Sequence, residues 1–169
     1  QQPLRVDHPL RILVAASSPS DLYPVDAGRE WALIQTALEP LVQKGLVALD
    51  RLETVTVTGL QNQLRQQDYH VFHFIGHGGF NRNLQENVLL FEGEDGRSLP
   101  LSGQDLGLLL GNEHTLGMVV LNACEGAEGF EEDVFQAQLR DYLDTLRGQE
   151  ALPGARVMAA GDREWAVEA

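Results

Sequence analysis

The stretch VFHFIGHGG, from Val71 to Gly79, decides the architecture expected of this chain. It begins with an apolar run typical of a buried strand and continues into a glycine-rich turn that carries His77. The stretch MVVLNACEG, from Met118 to Gly126, has the same form and carries Cys124. Neighbouring parallel strands of an α/β sheet present functional side chains at their carboxyl ends. The two stretches therefore predict that a thiol and an imidazole meet at one sheet edge, as a nucleophile and its base do.

Strand and helix signals alternate around these two stretches. The strands predicted from apolar runs are Leu10–Ala16, Leu46–Leu52, Val71–Ile75 and Met118–Leu121, with a hairpin of Val88–Phe91 and Arg97–Leu101 around an Asp95-Gly96 turn. Asp26 is the predicted cap of a helix that ends at Gly45, and Thr58 is the predicted cap of a second helix that runs to Gln67. Ser102 and Asp105 form a capping pair before a third helix. A fourth helix is predicted from Glu131 to Arg147, with Phe135, Leu139, Tyr142 and Leu146 inward. This alternation indicates parallel βαβ units.

Length and composition limit the class of protein. The chain has 169 residues, of which 43% are apolar, and this indicates one globular domain over residues 1–169. A formal charge of −13 argues against binding to a nucleic-acid backbone, which needs a basic surface. The single cysteine fits a reducing compartment, and neither a membrane-spanning run nor a secretory leader is seen, so a cytoplasmic location is expected. The Gln-Gln start suggests a domain excised from a larger protein.

Cys124 and His77 are the candidate reactive residues. A lone cysteine is often a small buried hydrophobe, but the position of Cys124 after a strand favours a working thiol, whose thiolate nearby backbone N–H groups could stabilise. Gly76, Gly78 and Gly79 leave room around His77 and could alternatively form a phosphate-cradling turn, although no known phosphate-loop pattern is present. His73 lies inside a predicted strand, as a core histidine does. No CxxC, HxH or HExxH spacing occurs, so neither a metal nor another cofactor is expected.

The two motifs together resemble a known family. HFIGHGGF followed by VVLNACEGA, in this order and each behind an apolar strand, is similar to the CHAT domain, a caspase-like cysteine peptidase domain related to caspases, metacaspases and separase. The resemblance extends from Leu10 to about Ala127. It implies a three-layer α/β/α sandwich with a mostly parallel sheet and caspase-like topology, in which the strands before His77 and Cys124 are adjacent.

The resemblance also implies roles for individual residues. Cys124 would be the nucleophile and His77 the proton shuttle, while the backbone N–H groups of Gly78 and Cys124 would bind the developing oxyanion. Asn122, two residues before the nucleophile, would line the primary substrate pocket. Asp26 and Arg29, together with Asp21, lie near the expected pocket wall and are weaker candidates. No third member of a triad is named.

The implied function is that of a cysteine endopeptidase, a hydrolase of the thiol protease class. Its substrate would be a protein partner, and other domains of the parent protein would act as its sensor. Two alternatives stay open at this point. One is a catalytically inactive caspase-like module that serves for interaction. The other is a flavodoxin-like domain that binds a small ligand, which would place a phosphate-binding turn or an acidic cluster after the first strand.

The sequence departs from the family pattern after the Cys124 motif. Similar domains continue with a helix and a further buried strand before the helix that FEEDVFQAQLRDYLDTL resembles. Here the chain passes directly from Gly129 to that helix, so it is expected to lack one strand–helix segment, and an omitted segment is favoured over a natural deletion. The Cys124 strand would then be an open edge of the sheet, which proteins normally cover.

Overall fold

The computed structural model describes residues 9–125, 134–135, 137–139, 141 and 156–159. The strands are β1 (Leu10–Ala16), β2 (Val47–Arg51), β3 (Val71–Asn81), β4 (Glu86–Glu92), β5 (Ser98–Ser102), β6 (Met118–Glu125) and β7 (Arg156–Ala159). The helices are α1 (Ala27–Gln43), α2 (Val57–Gln66) and α3 (Gly103–Gly111), and the described residues between 134 and 141 are also helical. Within the described part of the chain, no helix is long and apolar enough to span a membrane.

The sheet is built around β3, which is long enough to take different partners along one edge. Its first half pairs with β1 in parallel, from Val71 to Ile75. Its second half, from His77 to Asn81, pairs on that side with β4 in antiparallel orientation. The opposite edge of β3 pairs in parallel with β6. A parallel series β2-β1-β3-β6-β7 thus carries the antiparallel β4-β5 hairpin at the carboxyl half of its central strand.

Two expectations about the sheet need correction. The protein has a mixed α/β fold, because the hairpin adds antiparallel pairings to the parallel ones, and the expected mostly parallel sheet is confirmed only in this coarser form. The expected open edge at β6 was wrong. A helical stretch follows the Cys124 motif, and β7 then pairs in parallel with β6 from Met118 to Leu121. The sequence around β7 gave little signal because the strand has only four residues.

The core lies on both faces of the sheet, as the alternation of side chains along a strand requires. On β3, Phe72 and Phe74 belong to a large cluster with residues of α2, α3 and the 134–141 stretch. Ile75 belongs to a smaller cluster on the other face, against which Trp31 and Ile34 of α1 pack. Burying each large apolar side chain contributes roughly 1.5–3 kcal/mol. The larger cluster therefore buries more apolar surface than the smaller one, and both pack against β3.

The helix caps agree with the sequence at two helices of three. Asp26 caps α1, and Ser102 caps α3 with Asp105 in the first turn, both as predicted. The cap of α2 is Thr56 and not Thr58, since the hydroxyl of Thr56 accepts a hydrogen bond from the backbone N–H of Gly59 at 3.0 Å. In the 134–141 stretch, the predicted inward residues Phe135 and Leu139 are buried, while Tyr142 and Leu146 lie outside the described residues.

Candidate active site

His77 lies inside a strand and not in a turn. The sequence predicted that the strand ends at Ile75, but β3 continues to Asn81. The hairpin explains the difference, because β4 supplies backbone partners to this segment, including Leu90 opposite His77 and Leu89 opposite Gly78. The predicted phosphate-cradling alternative for these glycines is therefore not found, since they form part of a paired strand.

Cys124 lies directly beside His77 in the sheet. The register of β3 and β6 pairs His77 with Cys124, Gly76 with Ala123 and Gly78 with Glu125. Cys124 is the penultimate residue of β6, which ends at Glu125. The predicted adjacency of the two motif strands is confirmed at the level of the backbone, and the two candidate reactive residues occupy one rung of the sheet.

A backbone carbonyl group fixes the orientation of the His77 ring. His77 is 7% exposed, and its Nε2 lies 2.7 Å from the carbonyl oxygen of Tyr23. Because a carbonyl oxygen can only accept, Nε2 must carry the hydrogen of this bond. Nδ1 is buried and has no hydrogen-bond partner among the described residues. In the neutral ring Nδ1 is therefore the unprotonated nitrogen, which can accept a proton.

The sequence could not single out Tyr23, because its contact with His77 uses a main-chain atom that every residue has. The side chain of Tyr23 is 83% exposed and shows no sign of a role in the core. The sequence indicated a role for Tyr23 only through its position in the chain. Tyr23 falls in SSPSDLYPVD, the segment that follows the first strand, and such segments pass the carboxyl ends of the neighbouring parallel strands.

The segment from Ser17 to Asp26, here named the β1–α1 loop, is bonded to the hairpin at several points. The hydroxyl of Ser17 donates to the carbonyl oxygen of Leu90 at 2.8 Å. The N–H of Ser18 donates to Oε1 of Glu92 at 2.9 Å. These two bonds attach the start of the loop to β4, the strand that also pairs with the backbone of His77.

Asp21 attaches the middle of the β1–α1 loop to β5. Its Oδ1 accepts from the backbone N–H of Ser98 at 2.7 Å, and its Oδ2 accepts from the Ser98 hydroxyl at 2.8 Å. Nε of Arg97 lies 3.8 Å from Oδ2. The pKa of the Asp21 carboxyl lies below its ordinary value of 3.8, and the largest cause is the hydrogen bond from the Ser98 side chain. The carboxyl group predicted as a weak substrate contact is thus engaged by the hairpin.

The other predicted substrate contacts lie around this loop and on β6. Oδ1 of Asp26 accepts from the backbone N–H of Arg29 at 3.0 Å, so Asp26 caps α1, and both residues are exposed. Asn122 is half-buried and pairs in register with Ile75. Gly78 lies between Leu89 and Glu125 in the sheet. The roles of Asp26, Arg29 and Asn122 with substrate, and of Gly78 with an oxyanion, stay predictions.

Two further histidines, His70 and His73, have pKa values that burial lowers. His73, four residues before His77 on β3, is half-buried, and its Nε2 is buried with no hydrogen-bond partner in the described part of the chain. Burial lowers the pKa of His73. Nδ1 of His70 accepts from the backbone N–H of Arg11 at 2.9 Å, and burial, followed by the Arg11 charge, lowers the pKa of His70. Among the described residues, no group of three or more histidine, cysteine or acidic side chains could hold a metal ion.

The fold and the register of His77 with Cys124 define an α/β domain whose central strands bring an imidazole-bearing and a thiol-bearing position together. A family model for the CHAT domain matches residues 14–159, from within β1 to the end of β7. The chain belongs to the CHAT domain family, which is caspase-like. The resemblance predicted from HFIGHGGF and VVLNACEGA is thereby confirmed. A comparison with curated proteins found no match.

Proposed function

We propose that this CHAT domain is a cysteine endopeptidase in which Cys124 attacks a peptide carbonyl group and His77 moves the proton. The observation that carries the proposal is the register of β3 and β6, which pairs the two residues on adjacent strands. Residues paired in this way share one face of a sheet. A dyad built on neighbouring strands is held by the sheet itself, and such preorganisation is what a nucleophile and its base require.

The tautomer of His77 supports its role as the base. The hydrogen bond from Nε2 to the Tyr23 carbonyl oxygen leaves Nδ1 as the nitrogen that accepts a proton. The burial of Nδ1 without a partner among the described residues means that no bond within this part of the chain has to break before a thiol donates to it. A carbonyl oxygen that accepts from Nε2 also stabilises the imidazolium ion once it forms.

The proposed reaction proceeds in two halves. The proton of the Cys124 thiol moves to Nδ1 of His77, and the sulfur forms a bond to the carbonyl carbon of the scissile peptide. The tetrahedral intermediate collapses when the carbon–nitrogen bond breaks, and the leaving amine takes the proton from Nδ1. Water then attacks the thioester carbonyl carbon and gives a proton to Nδ1. The second tetrahedral intermediate collapses when the carbon–sulfur bond breaks, which releases the acid, and the leaving sulfur takes the proton from Nδ1 to restore the free thiol.

The remaining parts of the site are assigned by the resemblance. We propose that the backbone N–H groups of Gly78 and Cys124 bind the oxyanion, an interaction worth several kcal/mol of barrier in such sites. Asn122 would line the pocket for the substrate residue before the cleaved bond, with Asp26 and Arg29 at its wall. The arrangement of α1 on one face of the sheet and of α2 and α3 on the other supports the three-layer caspase-like arrangement.

The proposed substrate is an exposed, extended segment of a protein partner. The proposed controlling elements are other regions of the parent protein, acting on the β1–α1 loop and the end of β6. Ordering of exposed segments beside a site is a common way to switch such an enzyme on.

The proposal is tested with a library of peptides that carry a thiol-directed electrophile. Cys124 is the single cysteine, so every covalent adduct reports on it directly. We expect labelling of the chain, none in Cys124→Ala, and labelling slowed by roughly 10²-fold or more in His77→Gln, because general-base assistance contributes about 10²–10⁴-fold. Cleavage of an unmodified peptide library, read by mass spectrometry, identifies the preferred residue.

The variant His114→Gln, at an exposed position, is the matched control and should be labelled at the wild-type rate. Equal labelling rates for the wild type and His77→Gln would refute the role of His77 as the base. Labelling without cleavage of any peptide or protein substrate would favour the alternative of a caspase-like interaction module.

A further inference from the structure

We propose that Asp21 is a positioning residue, whose carboxylate holds the β1–α1 loop against β5 and thereby keeps the Tyr23 carbonyl oxygen on Nε2 of His77. The hydrogen bond from Nε2 to the Tyr23 carbonyl oxygen then selects the His77 tautomer in which Nδ1 is free to accept a proton. The effect of Asp21 on catalysis rests on the proposed function. The effect of Asp21 on the tautomer of His77 is independent of any substrate.

Both carboxylate oxygens of Asp21 are engaged by one residue of the hairpin. Ser98 donates to Oδ1 through its backbone N–H and to Oδ2 through its hydroxyl, at 2.7 and 2.8 Å. Hydrogen bonds to an ionised acceptor are roughly twice as strong as those between neutral groups. The neighbouring residue Ser20 donates its N–H to the carbonyl oxygen of Gly96 at 2.8 Å, so two consecutive loop residues are attached to the hairpin.

Tyr23 depends on its neighbours for its position, on Ser20 and Asp21 before it and on Val25 after it, which packs against the smaller core cluster. Its own side chain is 83% exposed and packs into no core cluster, so it provides little anchoring. Tyr23 lies two positions after Asp21, and a chain spans at most about 3.6 Å per residue. While Asp21 is held, the Tyr23 carbonyl group can therefore move only a short distance from the imidazole.

The contacts close a ring through the site. The backbone of His77 pairs with Leu90 of β4, and β4 pairs with β5, with Ser98 opposite Glu92. Ser98 holds Asp21, and the segment from Asp21 to Tyr23 returns to the His77 ring through the 2.7 Å bond. One hairpin therefore holds both the backbone and the imidazole of His77. The backbone pairing with Leu90 and the bond to the Tyr23 carbonyl oxygen together resist rotation of the His77 side chain more strongly than either of these two contacts alone.

The geometry also separates Asp21 from a role in reading the substrate. Asp21 is an exposed residue, but Ser98 donates to both of its carboxylate oxygens and Arg97 lies at 3.8 Å, so the carboxylate has its main partners within the domain. The observed contacts of Asp21 thus serve the attachment of the loop to the hairpin.

The test compares Asp21→Asn and Ser98→Ala with Ser98→Thr and with Asp95→Asn. Asp95 is the matched control, because its Oδ1 accepts from the backbone N–H of Arg97 within the same hairpin and has no bond to the loop. Ser98→Thr keeps both donors and should behave as the wild type. Nitrogen-15 NMR of the histidine side chains in the full chain reports which nitrogen of His77 carries the hydrogen, and urea unfolding shows that each variant is folded.

We expect Asp21→Asn to populate the second tautomer of His77 and to lower kcat by roughly tenfold or more with little change in KM, since small displacements of a reacting group cost up to about 10²-fold. Ser98→Ala should give the same change to a smaller degree. The proposal is overturned if Asp21→Asn leaves the His77 nitrogen signals unchanged, or if Asp95→Asn changes them equally. A wild-type chain inert to peptide electrophiles would refute the proposed function, and the NMR comparison would still decide the role of Asp21.

Discussion

The carbonyl oxygen of Tyr23 accepts a hydrogen bond from Nε2 of His77 at 2.7 Å, across a separation of 54 residues in the chain. This bond joins the loop after the first strand to the side chain of the central strand. It assigns the hydrogen to Nε2 and leaves Nδ1 as the acceptor. The partner that orients the imidazole is thus a main-chain group.

The first prediction concerns the replacement of His77 by glutamine. The glutamine amide can donate to the Tyr23 carbonyl oxygen but cannot take a proton, so His77→Gln should keep the loop contact and lose the base. We expect peptidase activity to fall by about 10²–10⁴-fold. The free energy of unfolding should change by no more than about 1 kcal/mol, because the hydrogen bond is preserved. Measurements of kcat/KM and of urea unfolding check the two parts.

The alanine variant provides the contrast. His77→Ala removes the buried ring and leaves the Tyr23 carbonyl oxygen without its donor, so it should lose activity and also roughly 1–3 kcal/mol of stability. Equal stability of the glutamine and alanine variants would contradict the contribution of the Tyr23 bond to the fold.

The sequence predicted the strands because apolar runs of this kind specify buried strands, and the resemblance to the CHAT domain implied that the two motif strands are adjacent. Val71–Ile75 and Met118–Leu121 lie within β3 and β6, which are neighbours as expected. The continuation of β3 through Gly78 could not be predicted locally, because it depends on pairing with β4.

Other features were missed for different physical reasons. The contact of Tyr23 with His77 involves a main-chain oxygen, so no residue type marks it. The strand β7 has only four residues, Arg156–Ala159, and its pairing with β6 is a long-range contact. A run this short does not predict such a pairing. The register of His77 with Cys124 follows from the pairing of whole strands, and the sequence could indicate only that both residues lie near strand ends.

The second prediction concerns Gly76, where the backbone of β3 passes close to core side chains. A Cβ atom at this position would lie 2.7 Å from Cζ of Phe74 and 3.3 Å from Cβ of Ser17. Phe74 is fully buried and stacks on Phe91 with ring centroids 5.1 Å apart, so it has little room to move. We expect Gly76→Ala to cost about 1–3 kcal/mol in the free energy of unfolding, as overpacking of a core does.

Gly28 in α1 is the control for Gly76. A Cβ atom there would make only ordinary contact, at 3.7 Å, with Oδ1 of Asp26. Gly28→Ala should therefore be neutral or raise stability by up to about 1 kcal/mol, because alanine has the higher helix propensity. Thermal and urea unfolding of both variants distinguish the tight position from the open one.

The third prediction concerns stability against pH at His70. Its pKa is lowered in the folded chain, first by burial, so the unfolded chain binds more protons below the ordinary value of 6.5. The contribution of neutral His70 is therefore fully present above that pH and is lost as the pH falls through the lower, folded value. Protonation of Nδ1 would also break the bond from the Arg11 N–H.

The variants His70→Asn and His70→Gln separate the effect of protonation at His70 from the effect of its hydrogen bond with the Arg11 N–H. Asn places an acceptor oxygen near the position of Nδ1, whereas Gln does not. Both variants should make the free energy of unfolding less dependent on pH between 5 and 7.5, while His73, whose pKa burial also lowers, maintains part of the dependence. At pH 7.5, His70→Gln should lose about 1 kcal/mol relative to His70→Asn, the net value of one hydrogen bond. Urea unfolding across this pH range provides the measurement, and identical curves for the two variants would argue against the Arg11 bond.

The last prediction concerns the start of α2, where the sequence predicted Thr58 as the cap and the structure has Thr56. The hydroxyl of Thr56 accepts from the N–H of Gly59 at 3.0 Å, and Thr56 is 6% exposed, whereas Thr58 is exposed on the first turn. Thr56→Ala should lower the free energy of unfolding by about 1 kcal/mol, the usual value of an N-cap. Thr58→Ala should be neutral or slightly stabilising, because alanine is the better helix former. Unfolding measurements that found the larger loss in Thr58→Ala would restore the cap predicted from the sequence.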